Sequence, residues 1–291
     1  MNNKQKFVKS FLIITIISIV LVGFGTEASA NHSMNGYHWP RVSNPFTIYV
    51  TDNVDGSWDS YLTSALNDWS SSSVLDMQVG AGFTVGVLKN KKNTKNLRNG
   101  TNTMSTTPSI TKTCDPVMGK VIVCNDVYSG NWMGTTMVWV TGPENHITQA
   151  TIRLNDTYFS MPMYDTADWR NLTMCHELGH TLGLDHQDVD WYNTNLGTCL
   201  DYGMDPSTNR RPNFHDYEQL DITYSHLDAI SGVGIVSGVG VLRLGSNSSV
   251  NINDSSSWGK GIEKDKNGKY SLFEKDLGEG NKVLTHVFWA K

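Results

Sequence analysis

The stretch Cys175-His176-Glu177-Leu178-Gly179-His180-Thr181-Leu182-Gly183-Leu184-Asp185-His186 carries the densest chemistry in this chain. Residues four apart on an α-helix share a face, so His176 and His180 aim their imidazoles at one point. A zinc ion there would sit about 2.0–2.1 Å from each nitrogen. Glu177 lies about 100° further round the helix, where it approaches a water at the metal without ligating the metal. Gly183 lacks a Cβ and takes the left-handed conformation that ends a helix and turns the chain sharply. That turn brings His186 back toward the same ion. Three neutral histidines and one water make an open catalytic zinc site. Zinc lowers the pKa of its water and polarises a substrate carbonyl. Glu177 is then the general base, passing the proton on to the departing amine.

The same residues resemble the metzincin signature HExxHxxGxxH, with His176, Glu177, His180, Gly183 and His186 at its fixed positions. The resemblance covers about residues 44–228. It implies an α+β fold: a twisted, mostly parallel sheet with an antiparallel edge strand, an active-site helix and a C-terminal helix. A small β-rich C-terminal extension follows here. It also implies a secreted zinc-dependent endopeptidase acting on protein or peptide substrates. Metzincins carry a Met-turn beneath the zinc, and the candidate is Cys199–Pro206. Aligning Met-x-Tyr on Leu200-Asp201-Tyr202 makes Leu200 the floor and Tyr202 a donor to the developing oxyanion. Otherwise Met204 supplies the floor, and Tyr202 is a packed core residue. By the same resemblance, His146–Leu154 is an edge strand that binds extended substrate main chain to main chain. The helix at His215–Leu227 corresponds to the C-terminal helix. The family often carries structural calcium; Asp188–Asn193 offers oxygen ligands, without the spacing of a known loop. Two alternatives stand beside the peptidase. One is a catalytically weak binding or adhesion protein using residues 229–291. The other is a zinc hydrolase of a non-peptide amide. The retained Glu177 and three histidines favour the enzyme.

These residues need elements to hold them. Trp169, Leu172, Cys175, Gly179 and Leu182 recur at helical spacing, which predicts the active helix over Asp168–Leu182. Trp58, Tyr61, Leu62, Ala65 and Trp69 predict a second helix, and Tyr217, Leu220, Tyr224 and Leu227 a third. Phe46, Ile48 and Val50 alternate as a strand, as do Ala150, Ile152 and Leu154, while Met137–Val140 reads as a buried strand. Residues 89–107 read as a polar surface loop. Beyond residue 229 come Gly232, Gly234, Gly238 and Gly240, a Ser/Asn-rich linker at Ser246–Ser257, a hairpin signal at Asn267-Gly268 and a strand at Thr285–Trp289. Asp265-Lys266-Asn267-Gly268 begins like an EF-hand loop but lacks its closing Glu. His32, His38, His215, His226 and His286 have no metal-ligand spacing and read as ordinary residues.

Lys4, Lys6 and Lys9, the apolar run Phe11–Phe24 and Ala28-Ser29-Ala30 together read as a signal peptide over residues 1–30. The run is shorter than the roughly 20 residues that a span needs. The expected organisation is therefore signal peptide 1–30, catalytic domain 31–228 and extension 229–291, exported and free of the membrane. Residues 31–45 hold no cysteine, so no cysteine-switch segment is expected. The 291 residues are 38% hydrophobic and 18% charged, an ordinary globular composition. Net charge is −5, with no basic excess to neutralise phosphates, which excludes nucleic acid as a first partner. Four cysteines in an oxidising compartment suggest two disulfides. Cys114 and Cys124 flank a short apolar segment and a loop with Pro116 and Gly119. That favours a local bridge and leaves Cys175 with Cys199. The second bridge would tie the active helix to the turn beneath the zinc.

Overall fold

A computed structural model describes residues 31–80, 113–229, 250–251 and 254–291. The expected signal peptide, the polar loop 89–107, the glycines at 232–240 and part of the Ser/Asn-rich linker lie outside the described residues. Residues Asn31–Lys291 form one compact unit.

Strand β1 (Phe46–Asn53) turns Ile48 and Val50 inward, as its alternation predicts. Helix α1 (Asp59–Trp69) buries Leu62, Ala65, Leu66 and Trp69 along one face. It carries the chain to β2 (Leu75–Val79), parallel to β1. Strand β3 (Lys120–Asp126) lies parallel on the other side of β1. Strands β4 (Trp132–Thr141) and β5 (His146–Asn155) are antiparallel neighbours, with β5 inserted parallel beside β3. The short α2 (Asp156–Phe159) precedes α3 (Ala167–Thr181), and α4 (Phe214–Thr223) follows. A meander of β6 (Lys260–Lys264), β7 (Tyr270–Gly278) and β8 (Asn281–Trp289) completes the order. All eight strands share one sheet, in the order β2-β1-β3-β5-β4-β8-β7-β6.

Two expectations are corrected here. The sheet is mixed rather than mostly parallel: only β2, β1, β3 and β5 run parallel. No edge strand is free beside the active helix. His146–Leu154 belongs to β5, an interior strand, and β4 is covered by β8 from Trp132↔Trp289 to Val140↔Lys282. The physical reason lies in the side chains of β4. Met133, Val138 and Val140 join the main core, while Trp132, Met137 and Trp139 form a second cluster on the opposite face. A strand buried on both faces belongs inside a sheet. Strand β8 matches it, sending Leu284 and Phe288 to the main core and Val283 and Val287 to the second. The tail is β-rich as expected, and it extends the sheet of the preceding residues.

Helix α3 begins where the Thr166 hydroxyl accepts the Trp169 amide, an N-cap that satisfies one otherwise free donor. From Leu172 to Thr181 all of its residues are buried. Trp69 of α1 donates its indole N–H to the Cys175 carbonyl at 3.0 Å. Both expected disulfides are present, Cys114–Cys124 and Cys175–Cys199. Asn267-Gly268 forms the expected turn, with the Asp265 carboxylate accepting the amides of Asn267 and Lys269. Among the described residues, no helix is long and apolar enough to cross a membrane.

If β8 is an integral strand, Leu284→Ala will cost about 3 kcal/mol of stability, because the residue is fully buried. Urea unfolding followed by tryptophan fluorescence and by far-UV circular dichroism should still show one coincident transition. A loss below about 1 kcal/mol would mean that β8 is only loosely attached.

Candidate metal centre

Helix α3 presents His176 and His180 on one face, one turn apart. The Nδ1 of His176 donates to the Cys199 carbonyl at 2.7 Å, and the Nδ1 of His180 donates to the Leu184 carbonyl at 2.9 Å. A carbonyl only accepts, so each Nδ1 carries the hydrogen and each Nε2 keeps a lone pair. Those two Nε2 atoms lie 3.1 Å apart. The Nε2 of His186 lies 3.3 Å from that of His176. Burial pushes the pKa values of His176 and His180 well below the ordinary range, so protonation does not relieve the meeting of lone pairs. A metal cation does. Tetrahedral zinc with Zn–N of about 2.0–2.1 Å needs neighbouring nitrogens about 3.3 Å apart. The three side chains therefore fit zinc in tautomer, burial and spacing, and their ligand atoms lie within 4.8 Å of one another.

The turn that returns His186 rests on Gly183. Its φ is +83°, and a Cβ there would overlap the Tyr37 carbonyl oxygen. Glycine is needed on both counts. Beneath the helix, Leu200 packs against Gly179, where an added Cβ would come within 2.9 Å of a Leu200 methyl. Leu200 is fully buried, whereas Met204 is 41% exposed, so Leu200 is the floor.

Glu177 faces the sheet. The Thr136 hydroxyl donates to its Oε2 at 2.5 Å, and its Oε1 has no partner among the described residues. Gly134 makes room for this carboxyl: a Cβ there would overlap it. Burial pushes Glu177 up to about 8. Tyr202 is fully buried, with its ring 4.9 Å from that of His186. Burial raises its phenol well above the usual range, so it remains a donor, and its hydroxyl lies 3.4 Å from the Val287 carbonyl of β8.

Strand β8 adds residues that spacing along the chain did not indicate. His286 stacks on His180 with ring centroids 3.8 Å apart, and Phe288 stacks on His176 at 4.3 Å. His286 also converges with Asp185 and His186. His38 and His226 meet Asp228 elsewhere, so three histidines without metal-ligand spacing lie in groups that spacing did not indicate. No spacing rule reaches from residue 186 to residue 286; only the alternation within Thr285–Trp289 hinted that His286 and Phe288 share a face. With β8 in place, His176, Glu177 and His180 are all fully buried. The calcium expectation finds no gathered ligands: Asp188 and Asp190 accept nearby backbone amides instead, those of Asp190 and Tyr192.

No family model matches this chain, and no curated protein matches it. Two solved structures overlap it in part. Myroilysin does so at 12% identity and a TM-score of 0.35, covering 67% of this chain and 98% of that one. High choriolytic enzyme 1, a hatching enzyme zinc-protease from the medaka Oryzias latipes, does so at 10% identity and a TM-score of 0.32, covering 65% and 94%. Overlaps this partial carry no functional argument.

The burial of Glu177 has a signature in stability. Its raised pKa adds stability that is complete below the ordinary value of 4.5 and is lost as pH rises through about 8. The histidines are common to both chains, so their titration cancels in the comparison with Glu177→Gln. Metal-stripped protein should lose up to about 1.4 kcal/mol per pH unit between about pH 6.5 and 8, relative to Glu177→Gln. Urea titrations of both chains at several pH values measure this. Parallel slopes would show that Glu177 is not buried as described.

Proposed function

We propose that this chain is a zinc-dependent endopeptidase, and that the conformation described is a closed one in which β8 lies where extended substrate would pair. The observation that carries the reading is the convergence of three histidines, two with fixed tautomers, beside a buried carboxyl with one free oxygen. His176, His180 and His186 would hold the zinc through Nε2. When bound, zinc supplies Lewis acidity to a water and to the substrate carbonyl.

The chain's own groups supply the rest. Glu177 accepts the water proton on Oε1 and returns it to the amine that leaves. Thr136 keeps Oε2 occupied and fixes the carboxyl's orientation. Tyr202 donates to the oxygen on which charge develops. Its present neighbour supports that role: the Val287 carbonyl is a main-chain oxygen on a strand antiparallel to β4. An extended substrate added to the β4 edge would offer the same group. While β8 fills that edge, substrate has no place to pair. Burial raises Glu177 to about 8 in the metal-free chain, which favours its protonated form. Moving β8 away would hydrate the carboxyl and return it toward its ordinary range. Two disulfides suit an oxidising compartment, and we place the enzyme outside the cell.

The test compares zinc-loaded residues 31–291 with a His286→Ala/Phe288→Ala chain, each with and without Glu177→Gln. Zinc content and cleavage of a mixed peptide library are measured. Opening the site should raise cleavage at least tenfold, and Glu177→Gln should abolish it without loss of zinc. An opened, zinc-loaded chain that cleaves nothing would remove the peptidase reading. A parent chain as fast as the opened one would remove the closed-state reading alone.

A further inference from the structure

A second cluster of ligand atoms shares no residue with the first centre. His38 comes from the segment before β1, His146 opens β5, and His226 and Asp228 follow α4. The backbone places them closely: the Ile147 amide donates to the His38 carbonyl at 2.7 Å, and the Asp228 amide donates to the Arg41 carbonyl at 2.8 Å. The Nε2 atoms of His146, His38 and His226 lie 3.1, 3.5 and 3.7 Å from Asp228 Oδ1. The Nε2 atoms of His226 and His38 are 3.0 Å apart.

The surroundings leave the ligand atoms of His38, His226 and Asp228 aimed at one point. His38 Nδ1 donates to the Gly36 carbonyl at 2.8 Å, so in the neutral ring Nε2 carries the lone pair. Asp228 Oδ2 accepts the Arg41 amide at 2.9 Å and lies 3.3 Å from its guanidinium, so Oδ1 is the oxygen left over. Arg41 is itself buried and its guanidinium lies 4.6 Å from the Tyr224 ring centre, which fixes the carboxylate from behind. Such bonds to the far side of each ligand are the usual support of a metal site.

We infer that His38, His226 and Asp228 bind a second divalent metal ion, zinc being a match to two imidazoles and one carboxylate, with His146 donating to Asp228 beside them. Three protein ligands leave the fourth position to water. The ion would pin the segment before β1 to the chain after α4. That segment supports the first centre: the Asp185 amide donates to the His32 carbonyl at 2.6 Å, and Tyr37 lies against Gly183. The inference does not depend on peptide cleavage. The competing arrangement is a metal-free network in which His226 donates to His38 and His146 donates to Asp228.

Zinc titration of metal-stripped residues 31–291 against a chromophoric chelator separates the two. The parent chain should take up two equivalents. His226→Ala should take up one, and so should His180→Ala, each from a different centre. His226 is 52% exposed, so its removal leaves the core intact. His226→Gln serves as a second variant, with circular dichroism to confirm folding. Zinc should still raise the Tm of His180→Ala but not that of His180→Ala/His226→Ala. Uptake by folded His226→Ala equal to that of the parent would overturn the inference. So would a single equivalent in the parent that His180→Ala removes.

Discussion

Two hydrogen bonds to backbone carbonyls govern the first centre. His176 gives its Nδ1 hydrogen to Cys199, and His180 gives its own to Leu184. Each bond fixes a tautomer, and together they turn two lone pairs toward each other. An arrangement that unfavourable persists only where a cation occupies the space between. Much of the surrounding structure serves those two carbonyls. The left-handed turn at Gly183 presents Leu184, and the floor at Leu200 and the bridge to Cys175 hold the Cys199 segment under the helix.

Glu177 and β8 form a second dependency. Burial raises the Glu177 carboxyl to about 8, with one oxygen on Thr136 and the other unpartnered among the described residues. That carboxyl packs against the sheet at Gly134 and Thr136, while His286 and Phe288 cover the neighbouring rings of His180 and His176. On the peptidase reading, the strand that covers the ligand rings also fills the edge where substrate would pair.

How far the sequence could be read follows the range of the interactions. The helix face, the turn at Gly183 and the return of His186 are set within a few residues, and all were legible. So were the Asn267-Gly268 turn and both disulfide pairings. The sheet edge was not. Strand β4 is apolar on both faces, which signals an interior strand, yet nothing nearby says which strand covers it. Its partner β8 lies at the far end of the chain. His286 and the cluster around Asp228 were lost for the same reason: their ligand sets are assembled by topology, from segments with no common spacing.

The Cys175–Cys199 bridge joins the residue beside one ligand to the carbonyl that orients it. Reduction would free that carbonyl, and with it the preference of His176 for the tautomer that leaves Nε2 bare. Metal affinity at the centre is thus linked to redox potential. On the peptidase reading, the reduced polypeptide would hold its metal more weakly than the oxidised one.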